Sequence, residues 1–403
     1  MRRDRIDLAI VLGVALLANA AYLISSNGDF TYPDSATYLA PARSFLHGHG
    51  FMDADGMPDA LRTPGYPLLL ALFGATTLPM ILLQHLAAIA LAAGVWLVVR
   101  RRGGGRAAAM TAALLLAIDP PTIHYANKIL SETLFTALLF VTLLLASARP
   151  RPVTLGLLSG AMVLVRPIAL FYFAVLALVL AFGRMTRRQI AAFVAAALLL
   201  PLGWAARNAV ETGAFSVSSI GNINLLMYRA AGALAMEDGG DFRSDLKDEQ
   251  EGLREDADDA IQRARGIPDA EDLPDALRAR GYGRYAWGVI ARHPWGTAQI
   301  TLYGLLVNLL DSDWDAIQDV SVLHPDIVRW SAGALPPIEL ALAAFGIVAL
   351  WKRDRHFALL IAVTVAYFVL ISAGGEAEAR FRVPVIPELL IAAAFGIRSG
   401  DLW

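Results

Sequence analysis

The sequence predicts an all-helical protein that crosses a membrane about ten or eleven times, and three observations support that prediction. Of 403 residues, 57% are hydrophobic and only 17% are charged, where a soluble domain carries about 25% charged residues. Apolar runs approaching the ~20 residues that span a bilayer recur along the chain. Between them stand arginine-rich clusters, the mark of loops kept on the cytoplasmic side. Cysteine is absent, which excludes disulfides, thiolate nucleophiles and cysteine-based metal sites. No nucleotide-binding fingerprint is present; Gly103-Gly104-Gly105 reads as a cytoplasmic linker.

In order, the apolar spans are 6–25, 79–99, 106–118, 129–148, 153–165, 167–183, 188–206, 333–351, 357–373 and 383–398. The first is preceded by Arg2, Arg3 and Arg5 and lacks a small-residue cleavage site, so it reads as a retained helix, not a removed signal peptide. The basic clusters are Arg2/Arg3/Arg5, Arg100/Arg101/Arg102/Arg106, Arg149/Arg151, Arg184/Arg187/Arg188 and Lys352/Arg353/Arg355. Placing them inside puts 26–78, 119–128, the turn at Arg166, 205–331 and 374–383 outside. The run 296–310 is followed by Asp311-Ser312-Asp313-Trp314-Asp315. An interfacial or re-entrant helix there gives ten spans; a crossing gives eleven, with Lys352 to Arg355 outside.

Residues 153–183 must cross twice, each arm covering only about 21–25 Å, less than the ~30 Å hydrocarbon core. The turn Arg166-Pro167 is therefore expected below the outer surface, and the short span 106–118 points the same way. Non-helical backbone at that depth must line a cavity or be buried in protein, so an outward-facing cavity in the outer leaflet is expected. No internal repeat is visible, which weakens a transporter reading.

Two outer segments stand out. In the first, Asp34 to His47 carries Leu39, Ala42, Phe45 and Leu46 at helical spacing, with Pro33 and Asp34 as a start and Gly48 and Gly50 as a stop. This predicts a helix lying on the membrane surface. The second, 205–295, is strongly charged between Glu237 and Arg280. It reads as a solvated, partly mobile excursion with a polar helix over 246–264, or as an acceptor-binding or gating loop.

The residues that could carry chemistry lie on the outer side. Tyr32-Pro33-Asp34-Ser35-Ala36-Thr37-Tyr38 is followed by Arg62-Thr63-Pro64-Gly65-Tyr66-Pro67. Asp34 suits a helix cap; it is also placed where a carboxylate could deprotonate an acceptor hydroxyl. Arg62 reads as an interface anchor, or as a residue that holds the first loop or touches a donor phosphate. Glu132 is expected about one turn inside a membrane helix, where a carboxylate needs a partner or a cavity. Lys128, four residues earlier, would then share its face and pair with it. His124 is a lone histidine, usually structural. Arg166 either caps helix carbonyls or faces the site, and Arg207-Asn208 closes the seventh span. Arg380 and Arg382 stand on the side that positive charge avoids. Their planar forks suit phosphate, with pairing to Glu376 or Glu378 as the structural reading.

This arrangement resembles the GT-C superfamily of glycosyltransferases, in particular the bacterial protein O-mannosyltransferase and lipid A aminoarabinose transferase branch. The resemblance rests on Pro33-Asp34-Ser35 with Tyr38, then Arg62-Thr63-Pro64-Gly65-Tyr66-Pro67, then the Ser131-Glu132 pair, Arg166-Pro167, and Arg380-Phe381-Arg382 ahead of Pro384. It implies one GT-C-type bundle over 1–403, a first periplasmic loop 26–65 with a juxtamembrane helix, and a larger periplasmic loop 205–295. It further implies inverting transfer of a hexose or pentose from a polyprenyl-phosphate-linked donor to a lipid, glycan or protein acceptor. Asp34 would be the catalytic base, and Tyr38, Arg62, Tyr66, His124, Lys128, Glu132, Arg166, Arg207, Arg380 and Arg382 the substrate-binding residues. The expected location is the bacterial inner membrane, multi-pass, with the site facing the periplasm. Partners would be membrane lipids, donor and acceptor, with no nucleic acid. No cofactor or metal site is expected, although some relatives use a divalent cation. The motif holds Asp34 alone rather than the Asp-Glu pair of eukaryotic members, and no large soluble domain follows the last span. The acceptor class is therefore open. A lipid-linked saccharide flippase and a non-catalytic envelope-assembly subunit are the competing readings.

Overall fold

A computed structural model describes residues 2–148, 151–182, 185–314 and 325–397. Arg149, Arg184 and Asp315, and the last residues of the spans ending at 183 and 398, lie outside the described residues. The helices are α1 (Arg2–Ser25), α2 (Ser35–Leu46), α3 (Gly65–Leu72), α4 (Thr77–Arg101), α5 (Arg106–Ala117), α6 (Pro120–Ala126), α7 (Glu132–Ser147), α8 (Pro152–Val165) and α9 (Tyr172–Ala181). They continue as α10 (Arg187–Thr212), α11 (Ile220–Asn224), α12 (Ala231–Asp238), α13 (Phe242–Arg265), α14 (Asp275–Arg292), α15 (Pro294–Leu310), α16 (Pro325–Arg353), α17 (Arg355–Ile371) and α18 (Ile386–Ile397). Among the described residues no strand forms beyond a lone bridge between Met52 and Pro58.

The fold is an all-α polytopic membrane bundle. α1, α4, α10 and Gly333–Arg353 of α16 are each long and apolar enough to cross a bilayer, and α5 with α6 is so only as a pair, bent by 46° at its break. α7, α8, α9 and α17 are shorter apolar helices. At 14 and 10 residues, α8 and α9 cover about 21 and 15 Å. Phe135, Tyr172, Phe193, Phe368 and Phe395 fill the common core.

Charge separates the two ends of the bundle. At one end Arg100 meets Asp4 at 3.1 Å, Arg106 holds Asp7 with two bonds of 2.7 and 2.6 Å, and Arg102 pairs with Asp354. At the other end stand Asp34, Glu132, Arg166 and Arg380. α15 links the outer segment to the bundle: near its start Gly296 N–H donates to Glu237 at 2.9 Å, and near its end Asn308 Nδ2 donates to Val369 O at 3.3 Å.

The structure differs from expectation in three places. Residues 119–128 are not an open turn. Asp119 caps α6 by accepting from Thr122 N–H at 2.9 Å, and residues 121–126 are buried. α10 runs on to Thr212, so the outer segment begins beyond it. That segment is a packed helical unit, not a solvated excursion. Leu253, Ala257 and Ile261 recur every fourth residue on α13 and pack near Tyr282, Ala286 and Val289 of α14. Arg278 locks the pair by two bonds to Asp258, 2.9 and 2.7 Å. Composition suggested mobility; the apolar stripe decides otherwise.

α8 and α10 touch through Gly156 and Gly160, a small-xxx-small contact. A Cβ at Gly156 would lie 2.4 Å from Phe193 O, and one at Gly160 2.8 Å from Ala197 O. Gly156→Leu is therefore expected to cost about 1–3 kcal/mol or more by overpacking. Thermal unfolding in detergent should show the loss, whereas Gly13→Val, with nothing within 4 Å, should leave the midpoint unchanged.

Candidate functional site

Asp34 follows α1 and opens α2, and two backbone links set its height. Phe30 O accepts from Ile129 N–H at 2.8 Å. Ser35 Oγ donates to Ile129 O at 3.0 Å while accepting from Tyr32 N–H at 2.9 Å. Together they staple the start of α2 to the segment before α7, which brings Asp34 toward Glu132.

Asp34 does not cap its helix. Its backbone is helical (φ −75°, ψ −15°) and no side-chain cap bond forms, where a capping residue normally adopts extended backbone. Its carboxylate is taken by two arginines instead. Arg62 Nη2 donates to Oδ1 at 2.8 Å, and Arg380 Nη1 donates to Oδ2 at 3.1 Å. Arg62 is itself fixed by Thr37 Oγ1 at 2.8 Å and lies over the Tyr38 ring, 4.6 Å from its centre. The Tyr38 hydroxyl meets Ser131 Oγ at 3.3 Å. Arg380 reaches beyond Asp34: its Nε is 3.3 Å from Glu132 Oε1 and 3.7 Å from Glu378 Oε2, and it stacks near Tyr32 and Phe381. Arg166 Nη1 completes the row, 2.9 Å from Glu132 Oε1.

Five residues from separate parts of the chain thus alternate in charge: Arg62, Asp34, Arg380, Glu132, Arg166. Burial works to raise the Asp34 carboxyl, but Arg62 and then Arg380 outweigh it and hold it below the ordinary carboxylate range. Burial works to lower Arg380, and Glu132, Glu378 and Asp34 together hold it above its usual value. Glu132 is the first residue of α7, where the helix N-terminus favours negative charge.

The other residues singled out in the sequence take different places. Lys128 does not pair with Glu132. α7 begins only at Glu132, so the four-residue helical spacing does not apply, and Lys128 Nζ bonds Asp29 Oδ2 at 2.8 Å. For the same reason Glu132 is not a turn inside its helix. Tyr66 is fully buried, packs edge-on to Tyr38 at 5.1 Å and donates to Gln84 Oε1 at 2.7 Å. Gln84 in turn holds the carbonyls of Ala126 and Lys128. His124 Nδ1 bonds the Tyr22 hydroxyl at 2.7 Å, away from the charged row. Arg207 donates to the carbonyls of Asp59 and Phe51 at 2.7 and 2.8 Å and braces the first loop. Arg382 is 3% exposed and donates to Leu309 O at 2.8 Å, at the C-terminal end of α15. Cations are favoured at that end of a helix, so Arg382 supports α15 and only Arg380 faces the row.

Sequence reasoning missed Tyr32, Gln84 and Asp29 as members or supports of the site; Glu378 was expected to pair with one of the two arginines and lies 3.7 Å from Arg380. Tyr32 stood inside a motif already noted. Gln84 carried a signal as an amide in an apolar span. A groove opens beside Tyr32 and Ser35. One part, about 330 Å³, runs over Ala36 and Leu39 to Arg43; a second, about 590 Å³, shares Ala40, Arg43 and Ala54 with it and continues to His49 and Asp53. Among the described residues no group of three or more His, Asp or Glu side chains is placed to hold a metal ion. His49 stacks on His47, and Asp53 Oδ1 accepts from the N–H groups of Asp55 and Met57.

No family model matches the chain, and no curated protein matches it. Among solved structures it is similar to the archaeal oligosaccharyltransferase AglB from Archaeoglobus fulgidus in complex with an inhibitory peptide and a dolichol-phosphate. The identity is 14% and the TM-score 0.49, over 97% of this chain and 50% of that one. The apo form of the Archaeoglobus fulgidus oligosaccharyltransferase gives 14% identity and TM-score 0.48, over 97% and 51%. The chain therefore spans about half the length of the solved structures it matches.

Glu132 is 2% exposed between Arg166 and Arg380. Removing one partner of such a buried set costs about 3–5 kcal/mol, because the other charge is left uncompensated. Glu132→Ala is expected to destabilise by that order in thermal unfolding. Glu132→Ala/Arg166→Ala should then lose less than the sum of the two single variants; additive losses would mean the pair is not coupled.

Proposed function

We propose that this protein is a membrane glycosyltransferase that moves a sugar from a polyprenyl-phosphate-linked donor to an envelope acceptor, with Asp34 as general base. The observation that carries the proposal is the holding of Asp34: a part-exposed carboxylate, not used as a cap, gripped on both oxygens by arginines. The sequence resemblance supplies the sugar and the lipid carrier. The basic end of the bundle is taken as cytoplasmic, which puts the site at the periplasmic face of a bacterial inner membrane. The lipid tail would enter sideways from the bilayer.

The reaction follows from the row of charges. The acceptor hydroxyl gives its proton to Asp34 as its oxygen attacks the anomeric carbon. The bond from that carbon to the phosphate oxygen breaks, and its electron pair leaves with the lipid phosphate. Attack opposite the leaving group inverts the centre. The phosphate gains charge in the transition state, where a placed cation acts most strongly. Arg380 touches both Asp34 and Glu132, and its guanidinium can serve a phosphate only by loosening its hold on one of them. A bound donor would therefore draw Arg380 away from Asp34 Oδ2 and free that oxygen as the base, while Arg62 keeps Oδ1 in place. The empty site holds Asp34 ionised but weakly basic; the loaded site raises its basicity. The Arg166–Glu132 pair would keep Arg380 in range throughout.

Isotope-labelled lipid-linked sugar, presented to the purified protein with an envelope extract, tests the proposal. Transfer into an acceptor is expected, and Asp34→Asn should lower it by about 10²–10⁴-fold. No transfer by the folded protein would refute it.

The pH profile gives a second test. The carboxyl of Asp34 is depressed in the free protein, so the base stays ionised until pH falls below the ordinary carboxylate range. Since kcat/KM reports the free enzyme and kcat the complex, the acid limb of kcat should lie at higher pH than that of kcat/KM. In Arg380→Gln the kcat/KM limb should move up toward it.

A further inference from the structure

We propose that the cleft between α13 and α14 binds the phosphate head group of an anionic bilayer lipid and seats the outer helical unit on the membrane. The cleft has a volume of about 330 Å³, with Ala257, Ile261 and Leu277 on its floor and Arg265, Arg280 and Arg284 around it. None of its lining residues is acidic, although acidic side chains outnumber basic ones over 237–292. The nearby Arg278 is already held by Asp258. Among the described residues, Arg265, Arg280 and Arg284 make no ion pair or side-chain hydrogen bond. Arg280 and Arg284 also stand one turn apart on α14, where like charges repel. An anion relieves that repulsion, and the guanidinium fork takes phosphate with two parallel bonds.

The position selects a lipid over a free anion. Trp287 and Trp295 are 63% and 69% exposed, and exposed tryptophan marks the membrane–water interface. From Trp295 an outward apolar stripe continues along α15 through Leu302, Leu306 and Leu310, the face expected against acyl chains. Arg284 and Arg280 precede Trp287 on one stripe of α14, about 5 and 11 Å along the axis at 1.5 Å per residue. The head-group layer on each side of the core is about 5–8 Å thick. Both arginines are then within reach of that layer from Trp287, and the apolar residues Ala257, Ile261 and Leu277 suit the glycerol and first methylenes of the same molecule. Elsewhere the unit is acidic and is repelled by an anionic leaflet. The cleft gives it a defined point of attachment.

The test uses the full chain in nanodiscs of mixed phosphatidylglycerol and phosphatidylcholine, released for native mass spectrometry. Wild-type protein should retain phosphatidylglycerol, and R280Q/R284Q should retain about tenfold less or lower still, since each interfacial arginine contributes to such binding. A264E, which adds a carboxylate at the cleft, should lose it too, while R243Q/R254Q, with arginines removed elsewhere on α13, should match wild type. Equal retention by R280Q/R284Q and A264E, or retention of phosphatidylcholine as strong as that of phosphatidylglycerol, would overturn the proposal. So would displacement of the lipid by inorganic phosphate at millimolar concentration, which would identify the occupant as a free anion.

Discussion

Arg380 lies between two carboxylates that the chain separates by about a hundred residues, and the architecture at this end of the bundle can be read as the means of holding it there. A guanidinium and two acids brought together out of water are tolerable only with good geometry and further hydrogen bonds. Each of those comes from a different element. Arg62 reaches Asp34 from the segment before α3, Arg166 reaches Glu132 from the short turn between α8 and α9, and Tyr32 and Phe381 cover the faces of the guanidinium. The supports are one step further out. The stapling of α2 by Ser35, the Gln84 grip on two carbonyls and the closure of α15 by Arg382 fix backbone, not ligand.

This division explains what could be read in the sequence. Helical spans, the surface helix after Asp34 and the segregation of Asp34, Glu132, Arg166 and Arg380 to one end follow from hydropathy and the placing of arginine, which are local signals. Which arginine faces which carboxylate is not local. Arg380 and Arg382 are two residues apart in the same motif. They separate only because the short 3-10 helix over Ala379–Val385 turns one toward Asp34 and the other toward the end of α15. Lys128 and Glu132 looked like a helical pair because the start of α7 was placed too early; a boundary shifted by one turn reassigned both partners. The Gly156–Gly160 contact went unread, because a small-residue spacing takes its meaning from the helix that lies opposite. In the outer unit the apolar stripe of α13 was also present in the sequence, outweighed there by the charge around it.

The row of charges carries a tension between stability and reactivity. A carboxylate held by two arginines is well placed and poorly basic, which suits a resting state and not a proton transfer. The same cations are what a departing phosphate needs. One guanidinium cannot fully serve Asp34, Glu132 and a phosphate at once, so under the proposed reaction donor occupancy and base strength would be coupled through Arg380. The position of Glu132 at the N-terminus of α7 makes the coupling workable, because α7 supplies part of the compensation that Glu132 would lose as Arg380 turns away. Under the proposed reaction, an acceptor hydroxyl or a stray water meets a strong base only when a donor is bound. That ordering comes from electrostatics alone.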